Sequence, residues 1–189
     1  MRGPTIDDFV AQLAGLEPVP AGVSAAAVSA SFGVALLLKV LAIIRKHGGA
    51  EILEGFERGA ALELERLGKA AEDDIAAYRA YLQARKVPEA REAALRQAIE
   101  TPLGAARSAA SVLELCAKTA ASCPANIAPD LATSATLLSA AVRATLLSVD
   151  ANTRLVKDQP FRDSVLAERR LLSSAAARFE ESVFARLAL

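Results

Sequence analysis

Between Val23 and Ile44 the sequence carries one charged residue, Lys39, in an otherwise apolar segment. A segment of this length is long enough to cross a lipid bilayer. Its first half, however, contains small and mildly polar residues that suit close packing against other helices better than contact with lipid: Ser24, Ser29, Ser31 and Gly33. A helix that is apolar on all sides is also what the centre of a helical bundle requires, because neighbouring helices cover it. We therefore predict a buried central helix and no membrane span.

The rest of the chain is patterned for helices that would pack around this segment. From Ile52 to Leu82, for example, apolar residues recur at steps of three and four, with charged residues filling much of the rest. No segment shows the alternation of apolar and polar residues that is typical of a strand. We predict an all-α, single-domain bundle over residues 1–189 with about five to six helices, at roughly 5–15, 24–47, 50–85, 88–121, 130–156 and 161–187.

The charges and the potential metal ligands argue against several classes of function. Lys+Arg and Asp+Glu both number 22, so no net positive field would attract nucleic acid. A single histidine, His47, and two cysteines, Cys116 and Cys123, give no metal-binding pattern, and we predict no metal site. His47 stands where a helix C-terminus is predicted, which favours a capping role over that of a general base. Acidic residues near the N-terminus argue against a signal peptide, and the cysteines form no disulfide framework, so we predict a cytoplasmic protein.

A few polar residues remain as candidates for chemistry. Asp74 follows two other acids in the sequence AAEDDIAAY, and three consecutive acids cannot all face solvent on a helix. Taken alone, such a residue is more often a surface or helix-pairing group than a catalytic one. Asp130 opens a predicted helix, where its carboxylate can simply cap the chain. Asn152 and Asp158 lie near the end of that helix, and periodicity would allow all four to gather at one end of the bundle.

The order of the short motifs resembles the cyclodeaminase/cyclohydrolase family, which includes the cyclodeaminase domain of formiminotransferase-cyclodeaminase and free-standing methenyltetrahydrofolate cyclohydrolases. Each motif alone is weak, but their order and spacing cover nearly the whole chain. The matching segments are Pro18–Ser24 (family P-T-P-G-G-G-S), Glu72–Tyr78 (D-E-D-A-x-A-F), Lys86–Pro88 (L-P-K), Thr101–Ala106 (V-P-L-x-x-A), Pro129–Leu131 (S-D-L) and Ser148–Asn152 (N-V-x-I-N).

The resemblance implies an all-α bundle that forms a homodimer and binds a folate-type small molecule, with no cofactor beyond the tetrahydrofolate substrate. The implied reactions are hydrolysis of 5,10-methenyltetrahydrofolate to 10-formyltetrahydrofolate and cyclodeamination of 5-formiminotetrahydrofolate. A carboxylate would attract the cationic carbon and accept a proton, and cations would pair with the glutamate tail. The residues carried over are Asp74 and Asp130 as catalytic groups, and Gly22, Ser24, Arg45, Lys46, Ser148 and Asn152 as substrate-binding groups.

Several positions depart from the family pattern. Two glycines of the first motif are Ala21 and Val23, and valine resists the positive φ that glycine permits. Pro129 replaces a serine, and Ser148 replaces an asparagine. These changes leave two hypotheses open. One is an active one-carbon enzyme, and the other is a catalytically degenerate family member that acts as a ligand-binding or protein-interaction helical homodimer.

Overall fold

The computed structural model describes residues 5–46, 52–84 and 87–188. In these ranges the chain forms six α-helices and no strand, which confirms the predicted all-α fold. The helices are α1 (Ile6–Leu13), α2 (Gly22–Lys46), α3 (Ile52–Ala84), α4 (Pro88–Thr119), α5 (Ala128–Thr153) and α6 (Gln159–Leu187). Two short 3₁₀ turns, Ala120–Ser122 and Ala125–Ile127, connect α4 to α5. The prediction for His47 lies outside the described residues.

The first helix begins where the sequence predicts. The Thr5 side chain accepts a hydrogen bond from the backbone N–H of Asp8, and the Asp8 carboxylate accepts one from the backbone N–H of Thr5. This reciprocal pair is a capping box, which satisfies two N–H groups that a helix start leaves without partners. None of the eight residues of α1 is buried, although its sequence is amphipathic.

Helices α2 and α5 pack antiparallel through the middle of the bundle. Ser134 donates a hydrogen bond of 2.7 Å to the carbonyl oxygen of Gly33, and Lys39 contacts Asp130, so numbers rise along one helix as they fall along the other. A Cβ atom added at Gly33 would lie 2.9 Å from Leu138 Cγ, so glycine is what permits this close approach. Because of the antiparallel packing, the end of α5 lies beside the start of α2.

Helices α3 and α4 form a second antiparallel pair that covers this core. Gly59 near the start of α3 lies against Leu115 near the end of α4, whereas Asp73 and Gln97 line one groove at the opposite end. Buried residues of α2 to α6 form one continuous hydrophobic cluster. Cys116 belongs to it, and burial raises the pKa of this thiol to about 12.

Within the described ranges, two helical segments are long and apolar enough to cross a membrane by length and composition: Gly22–Lys46 and Ala125–Thr153. Both pack against the other helices, as a buried helix of a bundle does. Only 44% of the most apolar window of the first segment is buried inside the chain, so α2 keeps a substantial exposed face.

Candidate functional site

A buried serine and a half-buried aspartate meet at the start of α2. Ser24 lies in the first turn of α2 and is 0% exposed. Its Oγ atom lies 3.4 Å from Oδ2 of Asp74 on α3 and 3.3 Å from the carbonyl oxygen of Ala71. Two residues that the sequence resemblance selected separately, Ser24 and Asp74, therefore lie in contact although they are 50 positions apart.

Burial changes the acidity of this aspartate. Desolvation raises the pKa of Asp74 above its ordinary value, and the hydrogen bond from Ser24 offsets part of that rise. A carboxylate in such a setting is a better proton acceptor than one in water, because its ionised form is less well solvated. The Asp74–Ser24 pair is thus suited to general base chemistry or to holding a cationic group.

The loop before α2 does not require the glycines that the sequence lacks. The only non-glycine residue with positive φ in the described part of the chain is Ala188, so neither Ala21 nor Val23 adopts a backbone that favours glycine. Val23 is instead 4% exposed and packs in the first turn of α2. The expected need for a positive φ at Val23 is therefore not met in the structure, and the valine side chain contributes to the core. Gly22 begins the helix, and a Cβ atom added there would meet nothing within 4 Å.

Asn152 is fixed near the same end of the bundle by a proline on another helix. Pro102 lies inside α4 and has no N–H, so the carbonyl of Ala98, four residues earlier, loses its usual helical partner. The side-chain nitrogen of Asn152 donates a 2.9 Å hydrogen bond to that carbonyl oxygen. Ser148 lies one helical turn before Asn152 and is half-buried. The carboxamide of Asn152 therefore links α5 to α4, with its nitrogen committed to the fold.

The guanidinium of Arg96, which the sequence did not indicate as a site residue, lies beside the start of α6. Arg96 on α4 forms an ion pair with Asp158, and its guanidinium lies 4.2 Å from the centre of the Phe161 ring. Asp158 accepts a hydrogen bond from the Phe161 backbone N–H and caps α6, so it belongs to the start of α6 and not to the end of α5, where the sequence suggested it. Arg96 has no local pattern that would distinguish it, because its partners lie more than 60 residues away in sequence.

Asp130 lies at the other end of α2. It occupies the first turn of α5 and accepts a 2.7 Å hydrogen bond from the Lys39 ammonium. No side chain caps the start of α5, so Asp130 is a surface ion-pair partner and not an N-cap. Pro129 stands in the same first turn, where a missing N–H costs nothing because that N–H would have no helical partner.

The two candidate acids are therefore not brought together in one chain. Ser24 and Lys39 lie fifteen residues apart on α2, which at 1.5 Å per residue is about 22 Å along the helix axis. Arg45, paired with Glu57 at 3.1 Å, and the exposed Lys46 lie still further from Ser24, by about 31 Å or more. The predicted site residues thus form two groups: Gly22, Ser24, Asp74, Ser148 and Asn152 at one end of the bundle, and Asp130, Arg45 and Lys46 at the other.

Comparison with known proteins agrees with this architecture. The chain matches the formiminotransferase-cyclodeaminase family over residues 5–171. It is 28% identical over 196 residues to a methenyltetrahydrofolate cyclohydrolase of Methylorubrum extorquens, covering 95% of this chain and 94% of the relative. The crystal structure of a formiminotetrahydrofolate cyclodeaminase from Thermotoga maritima superposes with a TM-score of 0.94 at 22% identity, covering 98% of this chain and 96% of the other. The family match extends over most of the chain, and the chain belongs to the formiminotransferase-cyclodeaminase family.

Proposed function

We propose that this protein is a cytoplasmic one-carbon enzyme that acts on a tetrahydrofolate derivative. The favoured reaction is hydrolysis of 5,10-methenyltetrahydrofolate to 10-formyltetrahydrofolate, and cyclodeamination of 5-formiminotetrahydrofolate is the second candidate of the same class. The single observation that carries the proposal is the contact between half-buried Asp74 and fully buried Ser24 at the start of α2. The named relatives, a cyclohydrolase and a cyclodeaminase, support the substrate class.

The chemistry assigns Asp74 a defined task. Water adds to the positively charged carbon between N5 and N10, and one proton of that water must leave as the new C–O bond forms. The Asp74 carboxylate accepts this proton. When the bond between N5 and the carbon then breaks, N5 takes up one proton and the new hydroxyl group gives up its own to become the carbonyl oxygen of the 10-formyl group, so that one proton is released overall. Burial helps twice, since it makes Asp74 a stronger base and strengthens its attraction for the cationic carbon.

The other residues at this end have supporting roles in the proposal. Gly22 begins α2, where backbone N–H groups point out of the helix and favour a carbonyl or an anion. The nitrogen of Asn152 is occupied by Ala98, so its oxygen is the atom left to accept a hydrogen bond from the substrate. Ser148 adds a hydroxyl one turn away. No cofactor beyond the folate is needed for this chemistry.

Two variants of neighbouring acids test the proposal. Asp74→Asn removes the proton acceptor and should slow turnover of methenyltetrahydrofolate by about 10²- to 10⁴-fold, the usual contribution of a general base. Asp73→Asn makes the same change of charge at an exposed neighbour on the same helix and should retain wild-type activity. Hydrolysis is measured as the rate at which the methenyl absorbance is lost, after subtraction of the rate in buffer alone. Cyclodeamination is measured as ammonia release from formiminotetrahydrofolate.

The alternative function, a degenerate family member that only binds a ligand or a partner, gives a different result. Wild-type protein would then turn over neither substrate, and calorimetry with tetrahydrofolate would separate ligand binding from pure protein interaction. Two substitutions that suggested degeneracy have structural explanations, since Val23 packs in the core and Pro129 fits the first turn of α5. The catalytic proposal is therefore the better supported one.

A further inference from the structure

Within the described part of the chain, two polar contacts from α4 hold the connection between α5 and α6. The connection comprises residues 154–158 and follows Asn152, which lies in the last turn of α5. Before the connection, Asn152 donates its 2.9 Å hydrogen bond to the carbonyl oxygen of Ala98. At its last residue, Asp158 forms the ion pair with Arg96, two residues before Ala98 on the same helix. One short segment of α4 therefore contacts the chain on both sides of this connection.

The guanidinium of Arg96 is held by two different groups. It donates a hydrogen bond to the Asp158 carboxylate and lies 4.2 Å from the centre of the Phe161 ring. The carboxylate is itself fixed, because it also accepts a hydrogen bond from the backbone N–H of Phe161 as the cap of α6. That hydrogen bond and the one from Arg96 lower the pKa of Asp158, so the carboxylate is ionised at neutral pH. A planar guanidinium that contacts both a carboxylate and a ring has little freedom to rotate.

Stability alone gives little reason for the Arg96–Asp158 pair. Both side chains are 39% exposed, and exposed ion pairs stabilise a fold only weakly. Arg107 makes a comparable contact between the same two helices, with a 2.8 Å hydrogen bond to Glu168. Arg107 lies eleven residues further along α4, about 16 Å from Arg96 along the helix axis. Of these two arginines that join α4 to α6, Arg96 is the one that lies beside Asn152.

The other contacts near this connection do not replace that of Arg96. Arg169 forms an ion pair of 2.8 Å with Asp150, but this pair joins α5 to α6 and does not involve α4. Buried Val156 packs in the core and anchors the connection, but an apolar contact does not set the direction of a neighbouring carboxamide. The orientation of Asn152 relative to α4 therefore depends on its own hydrogen bond to that helix and on Arg96.

We propose that Arg96 is a positioning residue for the Asn152 carboxamide. By joining the start of α6 to α4, Arg96 keeps the last turn of α5 against the carbonyl of Ala98, which Pro102 leaves without a helical partner. The nitrogen of Asn152 then stays bonded, and its oxygen stays available to the substrate. The catalytic consequence rests on the proposed folate function, since it requires a substrate that donates a hydrogen bond to Asn152. Arg96 itself contacts no reacting atom.

Steady-state kinetics with methenyltetrahydrofolate compare Arg96 with Arg107. Arg96→Ala should raise KM about 2- to 10-fold, the value of one neutral hydrogen bond, and leave kcat within about twofold of the wild type. Arg107→Ala removes the comparable ion pair and should leave both constants unchanged. Circular dichroism should show the same helix content in all three proteins, and Arg96→Met replaces Arg96→Ala if the alanine variant does not fold. An unchanged KM for the folded Arg96 variant, or an equal rise for Arg107→Ala, would overturn the positioning role.

A double-mutant cycle tests whether Arg96 acts through Asn152. Asn152→Ala alone should raise KM by a similar factor, and adding Arg96→Ala should produce no further rise. If the two effects multiply, Arg96 acts independently of Asn152 and the proposal is contradicted.

A shortened substrate separates positioning from direct binding of the folate carboxylates. Methenyltetrahydropteroate lacks the glutamate of folate, and Arg96→Ala should raise the KM of this compound by the same factor as that of methenyltetrahydrofolate. If the KM of the shortened substrate does not respond to Arg96→Ala, Arg96 binds the glutamate tail directly and the positioning role is wrong.

NMR tests the positioning without any assay of activity. The side-chain amide signals of Asn152 are identified by their absence from the spectrum of Asn152→Ala. Their exchange with water should be several-fold faster in Arg96→Ala than in the wild type and unchanged in Arg107→Ala, because only the first variant loosens the bond to Ala98. Equal exchange in the wild type and in Arg96→Ala would refute the proposal. The expected exchange rates in a protein that turns over neither folate substrate would support the positioning of Asn152 and contradict only the proposed function.

Discussion

A carboxylate from another helix lies beside each end of α2, and the surroundings of the two carboxylates differ. At its start, Asp74 is partly desolvated and its contact is a neutral hydroxyl, that of the fully buried Ser24. Toward its end, the Asp130 side chain is 36% exposed and pairs with the Lys39 ammonium. The first setting raises the energy of the charged carboxylate and prepares it to accept a proton, whereas the second satisfies it with a cation. Asp74 and Asp130, which look alike in the sequence, are therefore expected to have different roles.

The largest expected difference between the two ends is in the pH dependence of catalysis. If Asp74 must be ionised to accept a proton, kcat/KM of the wild type rises with pH through the raised pKa of Asp74 and then levels off. Asp74→Asn should lose this rising limb together with about 10²-fold or more of the rate. Asp130→Asn should keep the limb even where its overall rate falls, because its carboxylate is not the proton acceptor.

Stopped-flow measurements of methenyl absorbance from pH 4 to 9, corrected for the buffer reaction, would give these profiles. A limb that survives in Asp74→Asn but disappears in Asp130→Asn would reverse the assignment of the base. Asp73→Asn is the matched control, and its profile should coincide with that of the wild type.

The next largest effect concerns stability at the start of α2. Val23→Gly removes a buried side chain and places glycine in a helix, and the two losses together should lower the free energy of unfolding by about 2–4 kcal/mol. Gly22→Ala, at the adjacent position with open space around it, should be neutral or stabilising by up to about 1 kcal/mol. Urea unfolding followed by circular dichroism measures both. A Val23→Gly variant as stable as the wild type would restore the interpretation of this segment as a ligand loop.

The sequence predicts the helices well because their signals are local. Thr5 with Asp8 marks the start of α1, and the apolar periodicity places the later helices within a few residues of their observed bounds. The Asp74–Ser24 contact is not a local signal, since it joins residues 50 positions apart, and the resemblance supplied both residues without their pairing. The separation of Asp130 from Asp74 depends on the antiparallel packing of α2 and α5, which periodicity does not specify.

A smaller effect on stability is expected from the hydrogen bond that Asn152 forms at the end of the bundle where Asp74 lies. Asn152→Ala leaves the partly buried carbonyl of Ala98 without this partner and should cost about 1 kcal/mol. Pro102→Ala supplies the missing backbone N–H, so the same asparagine change should cost distinctly less in that background. Thermal or urea unfolding of the four proteins gives the coupling energy directly. Equal costs in both backgrounds would show that the proline does not create the need for Asn152.

The smallest expected effect is on the stability of the protein, when the same carboxylate-to-amide substitution is made at each end of α2. Asp130→Asn removes an exposed ion pair with Lys39 and should cost at most about 1 kcal/mol, less at high salt. Asp74→Asn should instead raise the melting temperature at pH 7. The pKa of Asp74 is raised on folding, so the folded protein binds that proton more tightly than the unfolded chain, and ionisation at neutral pH works against folding. The stabilisation by asparagine is then fully present above the raised pKa and disappears as the pH falls below the ordinary value of 3.8.

Calorimetric scans at pH 3.5 and pH 7 would measure the change in melting temperature for Asp74→Asn and for Asp130→Asn, with Asp73→Asn as the control. Changes of the same sign at pH 7 would mean that desolvation does not distinguish Asp74 from Asp130.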